Sequence, residues 1–261
     1  MVEWFLGTMG FGYDDWRGVF YPPGTTSRDY LTHYSRIFNS VEMDTTFYGV
    51  PRSAVVTQWA ASTPDNFKFC AKLPRTITHE MGLIGTRGLV DEFIDAMRLL
   101  GDKLGVILIQ FPPSFTSTSL PALEAFLKDI PTVVRFAVEF RHRSWYTPQT
   151  VELLTAHRIC WAAIEFPRLP NQINITTDFL YIRWIGKHGS YTRHTHERVD
   201  RSSHLKWWWE TIKLYLDRVD SIYGFFNNDY AGFAAGTCNR FKIIAGLPVE
   251  NIQTPKQQRL F

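Results

Sequence analysis

The chain has 261 residues, of which 45% are hydrophobic and 15% aromatic, and its formal net charge at pH 7 is +3. This length and apolar content exclude a disordered chain and a small disulfide-dependent scaffold, because a folded chain of this size buries roughly 70–75% of its unfolded surface. The small net charge neither requires nor opposes an anionic partner.

In the first half of the chain, short apolar runs alternate with longer amphipathic segments. Strands are predicted at Trp4–Thr8, Ser40–Asp44, Phe67–Lys72 and Gly105–Gln110. Between them, apolar residues recur at helical spacing, and Ser27 and Ser53 are good caps for the first two helices. The third of these helices is expected to end at Gly101.

The second half repeats the alternation. Strands are predicted at Arg135–Glu139, Ile159–Ile164, Phe179–Ile185 and Ser221–Phe226, and a final helix around Phe233–Ala245. Only the sixth strand lacks a clear following helix. Repeated strand–helix units predict an α/β fold with a parallel sheet, and eight units in about 250 residues predict a (β/α)8 TIM-type barrel. An open doubly wound sheet is the alternative, although it usually has fewer strands. We expect a single barrel domain over residues 1–247 with long βα loops, and a C-terminal tail over residues 248–261.

Polar residues recur at alternate positions near the ends of the predicted strands. Glu42 and Asp44, for example, share one face of their strand. Charges at the C-terminal ends of barrel strands point into the cleft where barrel enzymes work. The predicted ring at this end consists of Glu42, Asp44, Lys72, Gln110, Glu139, Arg141, Glu165, Arg183 and Asn227. Because the ring holds both signs of charge, it forms either a polar pocket for an anionic or sugar-like substrate or an ion-pair network that fixes strand register.

The loops after the first, second and fifth strands are rich in aromatic residues. As a set these residues predict stacking walls for a sugar or base, whereas each one singly fits loop packing. The set, which includes one residue after the eighth strand, is Tyr13, Trp16, Phe47, Tyr48, Trp145, Tyr146 and Tyr230.

The loop over residues 187–204, KHGSYTRHTHERVDRSSH, holds four of the eight histidines. It is interpreted as a basic lid over phosphate, as a solvated loop, or as a metal site through His194 and His196. A divalent metal held by the carboxylates of the ring is a further alternative, but the neighbouring lysine and arginines would compete for them. No cofactor is predicted.

The cysteines and the N-terminus bear on the compartment. Cys70, Cys160 and Cys238 lie far apart without a CxxC pair, which argues against a disulfide framework and a cysteine zinc site. The N-terminal segment lacks the features of a signal peptide, and no apolar run approaches the length of about 18 residues that a membrane span needs. We expect a cytoplasmic protein.

Six sequence blocks resemble the signature blocks of the YecE-like family, a domain of unknown function numbered seventy-two. The blocks are GTMGFGYDDWRGVFYP, FNSVEMDTTFYGVP, KFCAKLPRTITHE, GVILIQFPPSF, AVEFRHRSW and YGFFNNDYAGFA, in this order from Gly7 to Ala234. The resemblance implies a TIM-type barrel and supplies no settled activity. The positions that match the family pattern are Trp16, Glu42, Thr46, Phe47, Tyr48, Lys72, Pro74, His79, Gln110, Glu139, Arg141, Trp145, Asn227, Asn228 and Asp229.

The last five residues, QQRLF, resemble the short peptide by which replication and repair proteins dock on sliding clamps. Leu260 and Phe261 would enter an apolar groove and Gln257 would make polar contacts at its edge. The alternative is that the two apolar residues pack back on the barrel.

The leading hypothesis is an enzyme, with hydrolysis as the reaction, that acts on a phosphate- or sugar-containing substrate, including nucleic acid. Glu42 or Glu139 would serve as general acid or base, and Lys72 would hold the anion. The predicted substrate-binding residues are Trp16, Asp44, Tyr48, His79, Gln110, Arg141, Trp145, Glu165, Arg183, Asn227 and Asn228. The rival hypotheses are a non-catalytic nucleic-acid or protein binding module and a sugar-phosphate isomerase or lyase.

Overall fold

Nine β-strands alternate with helices in the computed structural model, which describes residues 2–250. The strands are β1 Glu3–Thr8, β2 Ser40–Met43, β3 Lys68–Lys72, β4 Leu104–Gln110, β5 Arg135–Glu139, β6 Cys160–Trp161, β7 Ala163–Glu165, β8 Phe179–Trp184 and β9 Ser221–Phe226. They form two parallel sheets, one in the order β1-β9-β8-β7 and one in the order β2-β3-β4-β5-β6. The prediction of an α/β fold with parallel strands is confirmed.

The helices occupy most of the predicted positions between the strands. They are α1 Tyr30–Tyr34, α2 Ser53–Ala61, α3 Arg87–Met97, α4 Leu120–Asp129, α5 Pro148–Ala156, α6 Ser202–Lys213, α7 Asn228–Ala231 and α8 Ala234–Ala245. Short 3₁₀ turns follow several strands, including Asp44–Tyr48 directly after β2 and Arg143–Trp145 shortly after β5. These turns hold the residues that follow the strands close to the strand ends.

Three elements differ from their predicted bounds by more than one residue. The third helix ends at Met97 rather than at Gly101, and a 3₁₀ segment, Arg98–Lys103, follows it. The first helix begins at Tyr30 rather than near Ser27, because a turn closed by the bond from the Asp29 N–H to the Thr26 carbonyl (3.0 Å) precedes it. The predicted sixth strand is divided at Ala162, where the chain changes partner. The strand β6 pairs with β5, whereas β7 pairs with β8.

Two apolar clusters follow from the alternation of side chains along the strands. The larger one lies between the strands and the helices and includes Val41, Ile107 and Trp208. The smaller one gathers the opposite faces of strands from both sheets: Phe5, Met9, Cys70, Val106, Leu108, Ala137, Cys160, Ala162, Ile164, Phe179, Tyr181, Ile185, Tyr223 and Phe225. On most of these strands, the next residue on the same face, at the carboxyl end of the strand, is one of the predicted polar residues.

The first two strands approach each other closely. The phenol of Tyr34 accepts the Thr8 backbone N–H (2.8 Å) and donates to the carbonyl of Ser40 (3.0 Å). A Cβ on Gly7 would lie 1.9 Å from that carbonyl oxygen, so only glycine permits the approach. A parallel bridge between Met9 and Glu42 continues the contact at the carboxyl end of β1.

Among residues 2–250, no helix has both the length and the apolar character that crossing a membrane requires.

Candidate functional site

A buried ion-pair network lies above the inner apolar cluster, at the carboxyl ends of the strands. Arg183 of β8 donates from Nε to Oε2 of Glu42 (2.9 Å) and from Nη2 to Oε1 of the same carboxylate (2.6 Å). Its Nη1 donates to Oε2 of Glu139, the last residue of β5. Glu42 and Glu139 are 0% exposed and Arg183 is 3% exposed. We call these three residues the ion-pair framework.

Neighbouring side chains complete the hydrogen bonding of the ion-pair framework. Tyr181 donates from its phenol to Oε2 of Glu42 (2.7 Å), and Arg141 donates from Nε to Oε1 of Glu139. Burial disfavours the charge on Glu139, but Arg141 and Arg183 outweigh it and hold the pKa of Glu139 at about 2. Burial also disfavours the charge on Arg183, and the two carboxylates nevertheless raise its pKa well above the usual value. Glu139 and Arg183 are therefore charged at neutral pH, and the framework is closed to solvent.

Lys72 and Asp44 sit at the same end without belonging to the framework. Lys72 ends β3, Asp44 begins the 3₁₀ turn after β2, and both are half-buried. The Lys72 ammonium lies 3.8 Å from the centre of the Phe47 ring. Among residues 2–250, neither the Lys72 ammonium nor the Asp44 carboxylate has a hydrogen-bond or ion-pair partner. These two charges are available to a ligand.

The environment brings the pKa values of these two groups toward neutrality. Burial raises the pKa of Asp44 to about 6, and the charge on Glu42 adds to the effect. Burial and the charge on Arg183 lower the pKa of Lys72, against the opposing effect of Asp44. A carboxyl group with a pKa near 6 can both accept and release a proton near neutral pH.

Aromatic side chains, a histidine and an arginine follow the carboxyl ends of β2, β3 and β5. Tyr48 is 77% exposed, and the ring of His79 lies 4.9 Å from that of Phe47. Burial lowers the pKa of His79 to about 4, with a further contribution from Lys72, so the ring is neutral at pH 7. The guanidinium of Arg141 stacks 4.0 Å from the centre of the Phe166 ring.

The predicted amide residues divide between this end and the helix layer. Gln110 is buried and donates from Nε2 to the Phe111 carbonyl (2.6 Å). Asn227 caps α7 through the bond from the Asp229 N–H to its Oδ1 (2.8 Å), while its Nδ2 lies 3.5 Å from the Met9 sulfur beside Arg183. Asn228 instead accepts the N–H of Ala234 at the start of α8 (2.9 Å) and is 3% exposed. Gln110 and Asn227 stay at the strand ends, and Asn228 does not.

The two predicted tryptophans pack the loops. Trp16 is 0% exposed and Trp145 is 1% exposed, and the Trp145 indole donates to the Phe115 carbonyl (2.8 Å). Tyr230 is also buried. The loop-packing alternative describes these three residues, and Trp16 and Trp145 are not part of an exposed binding surface.

Glu165 lies outside the ion-pair framework. Its carboxylate accepts hydrogen bonds from His204 (2.7 Å), the Trp208 indole (2.7 Å) and the Tyr230 phenol (2.8 Å). Since Ile164 belongs to the inner cluster, strand alternation turns Glu165 toward the helix layer. Glu165 therefore does not belong to the predicted polar ring.

The histidine-rich loop does not gather ligands for a metal in this structure. The backbone N–H of His194 donates to Asp15 (3.2 Å), whereas the ring of His196 is 3.1 Å from the Thr195 hydroxyl. Over residues 2–250, no three His, Cys, Asp or Glu side chains form a group that could hold a metal ion. The lid interpretation of this loop stays a prediction. Gln257, Leu260 and Phe261 lie outside the described residues.

Two residues of the site were not predicted from the sequence, because they are uncharged. Tyr181 and Met9 contact the ion-pair framework through the phenol and the sulfur. Alternation could have found Tyr181, which lies two positions before Arg183 on the same face of β8. Met9 follows the end of β1, and its sequence context gives no such indication.

The model of the family described as "Protein of unknown function DUF72" matches residues 5–259. Because the match spans nearly the whole chain, the chain belongs to this family, and the predicted YecE-like resemblance is confirmed. The UPF0759 protein YecE of Escherichia coli is 40% identical over 116 residues, which are 44% of this chain and 43% of that protein. The UPF0759 protein YunF of Bacillus subtilis is 32% identical over 176 residues, 60% of each chain. The chain thus aligns with less than two thirds of the length of either relative.

Solved structures agree with the family and the fold. The crystal structure of a DUF72 family protein from Thermotoga maritima has a TM-score of 0.79 and 30% identity, covering 94% of this chain and 99% of that one. A DUF72 family protein from Enterococcus faecalis has a TM-score of 0.78 at 21% identity, covering 97% and 99% of the two chains. The second similarity concerns the fold alone.

Proposed function

We propose that this protein is a hydrolase that cleaves a phosphate ester at the carboxyl ends of its strands. The proposal rests on one contrast: some charged side chains at this end are paired with one another and buried, whereas two others have no partner among the described residues. Glu42, Glu139 and Arg183 satisfy one another out of contact with solvent, whereas the side chains of Lys72 and Asp44 have no such partners among residues 2–250. Perturbed, unpaired titratable groups at the end of parallel strands are typical of a reacting site.

In the proposed hydrolysis of the phosphate ester, each group has a role that its environment supports. Asp44 takes a proton from a water molecule, whose oxygen forms the new bond to phosphorus, and the ester P–O bond breaks. The released alkoxide then takes up a proton, returned by Asp44 or supplied by solvent. Lys72 and the outer nitrogens of Arg141 bind the phosphoryl oxygens and offset the charge that develops on them. Tyr48 and Phe47 would contact the organic part of the substrate.

The two buried carboxylates fit a positioning role better than a catalytic one. The pKa of Glu139 at about 2 makes it a weak base, and both of its oxygens are occupied by arginines. Glu42 likewise accepts hydrogen bonds from Arg183 and Tyr181. We therefore assign the acid–base role to Asp44 rather than to Glu42 or Glu139, and the anion-binding role to Lys72.

We also infer that the two sheets close into one eight-position barrel. The bridge between Met9 and Glu42 joins the two sheets at β1 and β2. On the other side, β6 and β7 are separated by one residue, Ala162, whose N–H donates to Val138 of β5 (2.9 Å). The inner apolar cluster, which takes residues from both sheets, supports the same closure.

The proposal is tested with chromogenic probes: 4-nitrophenyl phosphate, bis(4-nitrophenyl) phosphate and 4-nitrophenyl glycosides, each with Mg²⁺ and with a chelator. We expect hydrolysis of at least one phosphate probe and a loss of at least about tenfold in kcat/KM for Lys72→Ala. Lys128→Ala, which alters an exposed lysine of α4, is the matched control and should behave as the original protein. Turnover of glycosides alone would contradict the phosphate ester. Salt-dependent DNA binding without any turnover would favour the non-catalytic binding module.

A separate proposal concerns the C-terminal QQRLF sequence, which we expect to dock on a DNA sliding clamp. Removing residues 257–261 should abolish clamp binding in a surface plasmon resonance assay while leaving the melting temperature unchanged. Replacing Arg259 with alanine, which keeps the three motif positions, is the control and should retain binding. Unchanged binding after truncation, or a lowered melting temperature, would count against docking.

A further inference from the structure

A polar cavity opens beside the carboxyl ends of β7 and β8. Its volume is about 340 Å³, and its walls include Phe166 and Gly186, which follow these two strands. Phe166 is also the ring on which Arg141 stacks at 4.0 Å. One aromatic side chain therefore separates the cavity from a group that we assign to the reacting phosphate.

Three basic side chains line this cavity: Arg168, Lys187 and Arg201. Among the residues that the structure describes, none of them takes part in an ion pair. Arg201 is held by the bond from its Nε to the Tyr230 carbonyl (3.1 Å) and lies 5.2 Å from the centre of that tyrosine ring. Its other nitrogens, and the ends of the other two side chains, are available to an anion.

The acidic residues of the cavity are occupied by the protein itself. Both oxygens of Glu165 accept hydrogen bonds, from His204, Trp208 and Tyr230. Asp229 accepts the backbone N–H groups of Gly189 (2.9 Å) and Ser190 (3.1 Å), one at each oxygen. The carboxylates therefore shape the walls, and the positive charges line the space between them without a counterion among residues 2–250.

The backbone around the cavity is held in uncommon conformations. Arg168 has a φ of 70°, in the left-handed region that non-glycine residues seldom adopt. Gly186 has a φ of 75°, and a Cβ there would lie 2.4 Å from the Asp229 carbonyl oxygen. Glycine adopts this conformation without strain, whereas strained non-glycine residues such as Arg168 persist where the surrounding structure fixes them and concentrate at ligand sites.

We propose that this cavity binds a second phosphate group of the substrate, so that the substrate is a small molecule carrying two phosphates. The inference rests on the proposed function, which places the reacting phosphate at Lys72. The volume lies in the range of small-molecule sites. Unpaired arginine and lysine side chains in a concave site are the groups that proteins use to bind phosphate. Because Phe166 lines the cavity and also stacks with Arg141, the two phosphates would lie on either side of its ring.

The test counts bound phosphate by equilibrium dialysis with radiolabelled inorganic phosphate at low salt. We expect two phosphates per chain for the original protein. The double variant Arg168→Gly, Lys187→Ala should bind one, and its remaining site should keep its affinity. Arg201 is left unchanged because it holds the Tyr230 carbonyl. Lys206→Ala, which alters an exposed lysine of α6, is the matched control and should still bind two. Circular dichroism melting of each variant checks that the fold is retained.

A parallel Lys72→Ala measurement separates this inference from the proposed function. If Lys72→Ala loses one phosphate and the double variant still binds two, the cavity is not a phosphate site and the proposed function stands. If the double variant loses one and Lys72→Ala loses none, the cavity binds phosphate and the assignment of Lys72 fails. Absence of phosphate binding by the original protein would overturn both.

Discussion

Replacing Arg183 with methionine should lower the free energy of unfolding by about 3–5 kcal/mol at pH 7, because it leaves two buried carboxylates without their shared cation. For a chain of this size, the melting temperature should fall by roughly 6–20 °C. Glu42 and Glu139 are both fully buried, and Arg183 makes three hydrogen bonds to them. Methionine has a similar length, so the loss would reflect the unpaired charges rather than a large cavity.

The control and the rescue of this prediction use the same measurement, urea unfolding followed by circular dichroism. Arg98→Met, at an exposed arginine, should change stability by no more than about 0.5 kcal/mol. The triple variant Glu42→Gln, Glu139→Gln, Arg183→Met should recover much of the loss, because it removes the charges together with their cation. The deficit of the single variant should also shrink as the pH falls, since protonation neutralises Glu139, whose pKa Arg183 helps to keep low in the original protein. Equal stability of Arg183→Met and the original protein would show that the network does not hold the strand ends together.

Replacing Asp44 with asparagine should reduce kcat for the phosphate probe by about 10²–10⁴-fold, the usual contribution of a general base. The amide keeps the shape of the side chain but cannot take a proton from water. Asp95→Asn, at an exposed aspartate of α3, is the matched control and should leave kcat unchanged. Full activity of Asp44→Asn would remove Asp44 from the chemistry, while Lys72 could still bind the anion.

Stability distinguishes a catalytic Asp44 from a structural one. Its pKa in the folded protein is about 6, above the ordinary value of 3.8, because burial disfavours the charged form. The folded state therefore binds more protons than the unfolded state between these two pH values, and this group makes the protein less stable as the pH rises through that window. Asp44→Asn should thus be at least as stable as the original protein at pH 7.5, with no gain below about pH 4. A lower melting temperature at pH 7.5 would indicate a structural role.

Much of the fold follows from the alternation of short apolar runs and amphipathic segments. Runs such as LGVILIQ in β4 are apolar on both faces, which predicts a strand of a parallel sheet covered on both sides. The division of the sixth strand at Ala162 was not predictable, because it depends on which neighbour each half pairs with. The turn before α1 was missed because Ser27 is a good cap by residue type alone.

The site was predictable in position but not in accessibility. Alternation within each strand correctly predicts that Glu42, Glu139 and Arg183 meet at the carboxyl ends. It carries no information on their burial, which depends on side chains from distant strands, such as Tyr181. Glu165 was wrongly predicted to join the ring because only its place at the strand end was considered. Ile164 faces the inner cluster, so alternation along the strand predicts that Glu165 faces the helices.

The pH dependence of kcat/KM for a phosphate probe tests most directly the claim that Asp44, beside Lys72, performs the chemistry while the buried carboxylates only position it. A general base with a pKa of about 6 predicts that kcat/KM rises with pH and levels off above pH 6–7. If Glu139 were the base, its pKa of about 2 would leave kcat/KM flat from pH 4 to pH 7. A flat profile over that range would contradict the account.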